Sequence, residues 1–430
     1  MALLLKNAHV IDPQVGLNET ADILIRDGKI VEVGQGLTIE KGVERDLGGK
    51  IVLPGLVDMH VHLREPGFEE KEDIASGTRA AAHGGITAVC AMPNTKPTID
   101  NALGVEYVKA RAAAVGKCRV YVSGSCTQGL KGDTLSEMGD MVKHGAVAFT
   151  DDGRGVQGAG MMRRVMDYAS QFGKVVMSHC QDEDLVGEGQ VNEGVVSTRL
   201  GMLGWPAAGE ELQIARDIAL SRLTGCKLHI QHLTTKHALD LVRQAKAEGL
   251  PVTCEVTPHH LFLNEDFIGD DYNTNLKMNP PLRTKEDAEA LIEGVVDGTV
   301  DAIVTDHAPH TDFEKDREFA LAPFGMIGLE TSLALVATNL VRTGKISWER
   351  VAELMGSNQR AILGVDRVAL EPGSPADLTV IDPEAKWTVD AADFYSKASN
   401  SGFLGFELVG RATDTYVGGY ATMEDGKVVE

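Results

Sequence analysis

Between about residues 53 and 363, short apolar runs alternate with longer amphipathic stretches. Val57-Asp58-Met59-His60 opens the series, and runs at 87–92, 119–123, 146–152, 174–179, 228–231, 252–256 and 302–305 continue it. Their brevity and their content of Val, Ile and Ala predict buried strands. The stretches between them predict helices near 99–114, 134–144, 160–172, 210–224 and 235–247, the last capped by Thr234 or Thr235. Eight strand–helix units predict a closed (β/α)8 barrel of the TIM type, whose site lies at the carboxyl ends of the strands. An open doubly wound sheet is the alternative. It would place ligands at one switch point and would not gather side chains from five separate strands.

Both chain ends have a different texture. Residues 3–10, 21–26 and 29–33 read as strands, with a hairpin turn at Asp27-Gly28. Residues 376–382, 413–417 and 419–423 repeat that texture, with a turn at Asp425-Gly426. Neither end is long enough to bury its own core. Residues 1–52 and 364–430 are therefore expected to form one small β-sandwich domain beside a barrel at 53–363.

Composition narrows the partners. A chain of 430 residues with 43% hydrophobic content can bury a large core. A formal net charge of -22 disfavours nucleic acid and anionic membranes, but does not oppose a small anion that meets a local cation. The 6 cysteines form no CxxC pair and mostly fall in apolar runs, which predicts buried thiols. No apolar run approaches the ~20 residues of a membrane span, and Met1-Ala2-Leu3-Leu4-Leu5-Lys6 is too short for a signal segment. A cytoplasmic protein with a small-molecule substrate is expected, without nucleic-acid or membrane partners.

The chemistry sits at the strand ends. His60 and His62 are two apart, so both rings share one face of the first strand. Asp151 and Asp152 end the fourth run, His179 the fifth, His232 follows the sixth, and Asp306 follows the eighth. A lone strand-end histidine often only bonds a neighbour. Convergence changes the reading: four imidazoles and two carboxylates suffice for two metal ions. One of Asp151 and Asp152 should face the ions while the other caps a loop. His229, three residues before His232, is expected on the opposite face as packing. Cys180 should point away from the side on which His179 lies.

Four strings sharpen this picture: His60-Val61-His62-Leu63-Arg64-Glu65-Pro66-Gly67, Ala91-Met92-Pro93-Asn94-Thr95, Thr257-Pro258-His259-His260 and Thr305-Asp306-His307-Ala308-Pro309-His310. Together they resemble the dihydroorotases of the long, binuclear-zinc bacterial class, within the amidohydrolase superfamily. The resemblance covers the whole chain. It implies two Zn2+ per subunit, with His60, His62 and Asp306 on the first and His179 and His232 on the second. A carboxylated lysine usually bridges such ions. Phe149-Thr150-Asp151-Asp152 stands at that position here, so Asp152 and a water or hydroxide are the implied bridge. A carboxylate can span two cations and offset their repulsion, as a carbamate does.

The implied reaction is reversible hydrolysis of (S)-dihydroorotate to N-carbamoyl-L-aspartate, a step of pyrimidine biosynthesis, with Asp306 also shuttling the proton. Substrate contacts implied by the resemblance are His62, Arg64, Asn94, Asn279, His310, and the backbone at Phe324 and Gly325. Arg64 supplies a planar fork suited to a carboxylate. His259 and His260 are expected to support or pack, and residues 307–322 to form a lid. A hydantoinase or allantoinase is the near alternative, although hydantoins lack the acid that Arg64 would grip. A non-catalytic partner of a transcarbamoylase is the distant one, and intact ligand positions oppose it. A homodimer or a complex with aspartate transcarbamoylase is compatible with activity.

Overall fold

The computed structural model describes residues 2–430. Strands β1 (Ala2–Asp12), β2 (Leu17–Arg26), β3 (Lys29–Gly34), β4 (Val43–Asp46) and β5 (Ile51–Pro54) come first. The barrel follows with β6 (Leu56–Val61), β7 (Ile86–Ala91), β8 (Arg119–Gly124), β9 (Ala146–Phe149) and β10 (Val175–Ser178). After β10, β11 (Val191–Asn192) and β12 (Gly204–Trp205) form a small ribbon within a long loop. The barrel resumes with β13 (Leu228–Ile230), β14 (Val252–Val256) and β15 (Ala302–Ile303). Strands β16 (Leu378–Thr388), β17 (Glu407–Val417), β18 (Tyr420–Glu424) and β19 (Lys427–Val428) end the chain.

The expected fold class is present. Strands β6 to β10 and β13 to β15 pair in sequence order, all parallel, in one 8-stranded sheet. The ring closes just beyond β15, where the His62 N–H donates to His307 O at 2.9 Å and Val61 pairs with His307. Closure through these residues brings the first strand's histidines beside Asp306. Helices Ala102–Val115, Met138–His144, Ala159–Ser170, Ala208–Thr224 and Lys236–Ala247 occupy the predicted stretches. Thr235 is the cap of the last, accepting from Ala238 N–H.

The chain ends meet in one 9-stranded sheet, which forms the β-sandwich domain. The junction is β5 against β16, antiparallel with Val52 opposite Val380. Leu5, Val10, Ile23, Ile25, Leu378, Val380 and Tyr416 share its apolar core. The segment between β16 and β17 leaves this sheet and reaches the barrel mouth, where Asn400 is buried. Among the described residues, no helix is long and apolar enough to cross a membrane, and all 6 cysteines are free and buried.

Arg119 on β8 clamps the buried Asp377 before β16 through two bonds of 2.6 and 2.9 Å, tying barrel to sheet. Arg119→Met should lower unfolding stability by about 1.5–3 kcal/mol, because a buried carboxylate loses its charged donors. Urea unfolding monitored by circular dichroism would measure this, and an unchanged midpoint would show that the clamp does not couple the two parts.

Candidate metal centre

All six expected ligands converge at the barrel mouth. His60 Nε2 lies 3.3 Å from Asp152 Oδ1 and 3.4 Å from Asp306 Oδ1. His62 Nε2 lies 2.9 Å from Asp306 Oδ1 and 3.4 Å from Asp152 Oδ2. His179 Nδ1 is 3.3 Å from Asp152 Oδ1, and His232 Nε2 is 3.8 Å from the same oxygen. Asp152 thus turns one oxygen toward His62 and the other toward His60, His179 and His232. Asp151 takes the other expected role, accepting from Cys126 N–H at 2.8 Å and Thr127 N–H at 3.0 Å.

Bonds outside the cluster orient three of the rings. The Nδ1–H of His60 donates to Glu255 Oε1 at 2.6 Å, that of His62 to Asn94 Oδ1 at 2.9 Å, and the Nε2–H of His179 to Gln181 Oε1 at 3.0 Å. A proton on the outer nitrogen leaves the inner lone pair aimed at the cluster. His179 Nδ1 then stands 2.8 Å from His232 Nε2. Two lone pairs at that separation repel unless a cation or a proton lies between them. Asp152, His179 and His232 form one group with ligand atoms within 4.8 Å of one another; His60, His62 and Asp152 form a second, and His60, His232 and Asp306 a third. Imidazole nitrogens and carboxylates in overlapping groups fit divalent transition metals.

The electrostatics agree. Burial alone would raise the Asp152 carboxyl, but positive charge on His60 and bonds from His179, His232 and His60 hold it well below the usual range. Burial likewise opposes a charged His60, yet Glu255, Asp306 and Asp152 raise its pKa. A metal ion would therefore compete with protons for these nitrogens, and its uptake would weaken as pH falls.

Backbone geometry aims several of these groups. His232, Asp306 and Arg64 have φ of 31°, 46° and 59°, a left-handed region that side-chain-bearing residues rarely adopt. At His232 this turn corrects the strand-alternation argument. His229 is not simple packing on the opposite face: its Nε2 lies 3.0 Å from Glu255 Oε2, whose other oxygen holds His60. Strand alternation ends at His232, so both rings reach the interior. His307 does turn away, toward Glu72 at 3.3 Å. Cys180 Sγ packs against Ser178 and joins none of the ligand groups. His260 bonds Thr257 and Pro280 O, and burial pushes the pKa of its neighbour His259 down to about 4.

A cavity of about 320 Å³ opens over the cluster, lined in part by Arg64, Asn94, Asn279, His310, Phe324 and Gly325. Arg64 is half-buried, donates from Nε to Pro309 O at 3.2 Å, and has no carboxylate within 4.0 Å among the described residues. Asn94 is occupied on both sides, by His62 and by Asp152 Oδ2 at 3.3 Å. Asn279 Nδ2 donates to Gln181 Oε1 at 3.1 Å, while its oxygen has no partner. His310 donates from Nε2 to Phe324 O at 2.8 Å; burial and then Arg64 push its pKa down to about 2, so it is neutral. Gly325 has φ +119°, and an added Cβ would sit 2.6 Å from the Ala308 Cβ, so only glycine fits. Its N–H donates to Lys277 O at 2.8 Å and its carbonyl accepts from Asn400 Nδ2 at 3.1 Å, so its backbone is held on both sides. Within 307–322, Asp312–Lys315 is a short helix, and Lys71 pairs with Glu314 at 2.7 Å.

Three supporting residues escaped the sequence reading, among them Gln181, which accepts from both His179 and Asn279. Glu255 had a signal, a lone acid inside an apolar strand. Asn400 had none: its Oδ1 accepts from His310 N–H at 3.1 Å, and its Nδ2 donates to Ala308 O at 3.2 Å and Gly325 O at 3.1 Å.

A closed parallel barrel with four histidines and two aspartates at its strand ends has the architecture of the metal-dependent amidohydrolases. Solved structures agree. An L-hydantoinase (dihydropyrimidinase) from Arthrobacter aurescens superposes with a TM-score of 0.90 at 27% identity, covering 100% of this chain and 97% of that one. A D-hydantoinase (dihydropyrimidinase) from Thermus sp. gives 0.86 at 26% identity, covering 99% and 96%. Sequence relatives are more specific. Residues 49–238 match the Dihydro-orotase-like family. The dihydroorotase of Geobacter metallireducens is 51% identical over 97% of this chain and 99% of its own length. That of Pelotomaculum thermopropionicum is 49% identical over 99% of each. The chain belongs to the dihydroorotase family.

Glu255 gives the centre its own test. Glu255→Gln should weaken divalent-metal affinity by about 10- to 100-fold, as loss of an outer carboxylate on a liganding histidine does. Competition with a chromophoric chelator would measure it, and unchanged affinity would remove Glu255 from the support of the site.

Proposed function

We propose that this protein hydrolyses (S)-dihydroorotate reversibly to N-carbamoyl-L-aspartate, a step of pyrimidine biosynthesis. The observation that carries the reading is Arg64, a guanidinium without a carboxylate partner facing the same cavity as the His/Asp cluster. The substrate's free acid would supply that partner, in the planar geometry a guanidinium favours. The half-buried setting makes the bond stronger than it would be in water.

In this reading, His60, His62 and Asp306 would hold one zinc ion, His179 and His232 a second, and Asp152 both. Bound zinc supplies Lewis acidity and lowers the pKa of water toward neutrality. The chain's own groups do the rest. Arg64 fixes the acid, and Asn279 Oδ1 offers an acceptor to a ring N–H. Phe324 N–H has no partner among the described residues and offers a donor to a ring carbonyl. His310, neutral and tied to Phe324 O, sets where that backbone lies. Asp306 stays ionised: burial opposes this, but His60 and His62 lower its pKa. Its carboxylate takes one proton from the attacking water and delivers it to the ring nitrogen as the amide C–N bond breaks. The water oxygen remains on the carbonyl carbon as the new carboxylate, and the water's second proton is released to solvent. Ring closure reverses each step, so Asp306 serves as acid and base by turns.

A substrate panel on the wild type and Arg64→Gln tests the reading. The wild type should turn over dihydroorotate well ahead of hydantoins that lack an acid. Arg64→Gln should lose about 10- to 100-fold in kcat/KM for dihydroorotate, the size of a lost charged hydrogen bond. Equal turnover of acid-free hydantoins by the wild type, or unchanged kinetics in Arg64→Gln, would overturn the assignment.

A further inference from the structure

Lys277 is almost fully buried, at 2% exposure, and has no carboxylate within 4.0 Å among the described residues. Its ammonium donates instead to three main-chain carbonyls: Phe319 O at 2.8 Å, Ala320 O at 3.1 Å and Ala322 O at 2.8 Å. It also lies 4.5 Å from the centre of the Phe324 ring, over its face. The residue's own carbonyl accepts the Gly325 N–H. A single residue therefore gathers the segment 319–325 around itself, from side chain and backbone at once. Two positions further on, Asn279 lines the cavity.

Burying an ammonium without a counter-charge is unfavourable, and a methionine would fill similar space without that penalty. The cost is balanced only by what the charge holds, and what it holds is the strip that ends in Phe324 and Gly325 at the cavity wall. A cation suits the task because it can bond several carbonyls that converge from different directions, which no apolar or single-donor side chain can do. We propose that Lys277 is a positioning residue for substrate affinity: it fixes the Phe324–Gly325 backbone in the conformation that receives the substrate ring. The inference rests on the functional reading above in one respect, that this backbone faces the substrate.

Lys277→Met tests it. The KM for dihydroorotate should rise about 10- to 100-fold, the effect expected when bonds to a charged group are lost. The kcat should stay within about threefold, because Lys277 touches no reacting group and uniform binding is what is lost. Bound metal per chain should not change. Unchanged KM, or a joint loss of kcat and metal, would overturn the proposal. If Lys277→Met does not fold, Lys277→Gln is judged by the same criteria. Amide exchange needs no turnover: the Gly325 N–H should exchange faster in Lys277→Met than in the wild type, and equal protection in the two would overturn the proposed tether. A wild type that does not turn over dihydroorotate would remove the functional reading, while the exchange result would still decide the tether.

Discussion

Four imidazole nitrogens and two carboxylates cannot sit in one dry pocket without cations or protons among them, and the rest of the site follows from that constraint. Asp152 stands at the centre, one oxygen 3.4 Å from His62 and the other 3.3 Å from both His60 and His179. Every outer partner serves to keep lone pairs aimed at that centre. Glu255, Asn94 and Gln181 each accept a ring proton from the far side. The barrel is the framework that lets five strand ends meet, and its closure at His62 and His307 places the first strand beside the last.

The residues proposed to bind substrate form a separate layer above this centre. A chain with net charge -22 presents an unneutralised guanidinium where an anion would bind, so local charge and not the global sum decides which ligand the cavity can take. The surrounding loops are tied to one another. Asn400 joins the His310 turn to the Gly325 carbonyl, Lys277 takes the Gly325 N–H, and His310 bonds Phe324 O. Such cross-bracing limits the conformational freedom that would otherwise be lost on binding.

The barrel and the convergence of its four histidines and two aspartates were legible because they obey short-range rules. Strand alternation puts His60 and His62 on one face, and apolar runs that end in a histidine or aspartate mark the mouth of a parallel barrel. The chain-end domain was legible from texture, because short hairpin strands cannot form a core alone. His229 failed those rules for a local reason: the positive φ at His232 breaks the alternation on which the argument depended. Asn400 was invisible for a topological one. It lies 90 residues from His310 in sequence and in a segment read as part of the β domain, so no periodicity could place it at the mouth. Gly325 was identified, but its donor is already engaged by Lys277, a pairing across 48 positions that no local pattern carries.

The central claim is that Asp152 lies between two ions in one site. Zinc anomalous diffraction from crystals of the metal-loaded protein measures this directly. The account predicts two peaks about 3.5–4 Å apart, one beside His60, His62 and Asp306, the other beside His179 and His232, each bonded to one oxygen of Asp152. A single peak at full loading, or two peaks with Asp152 bonded to only one, would contradict it.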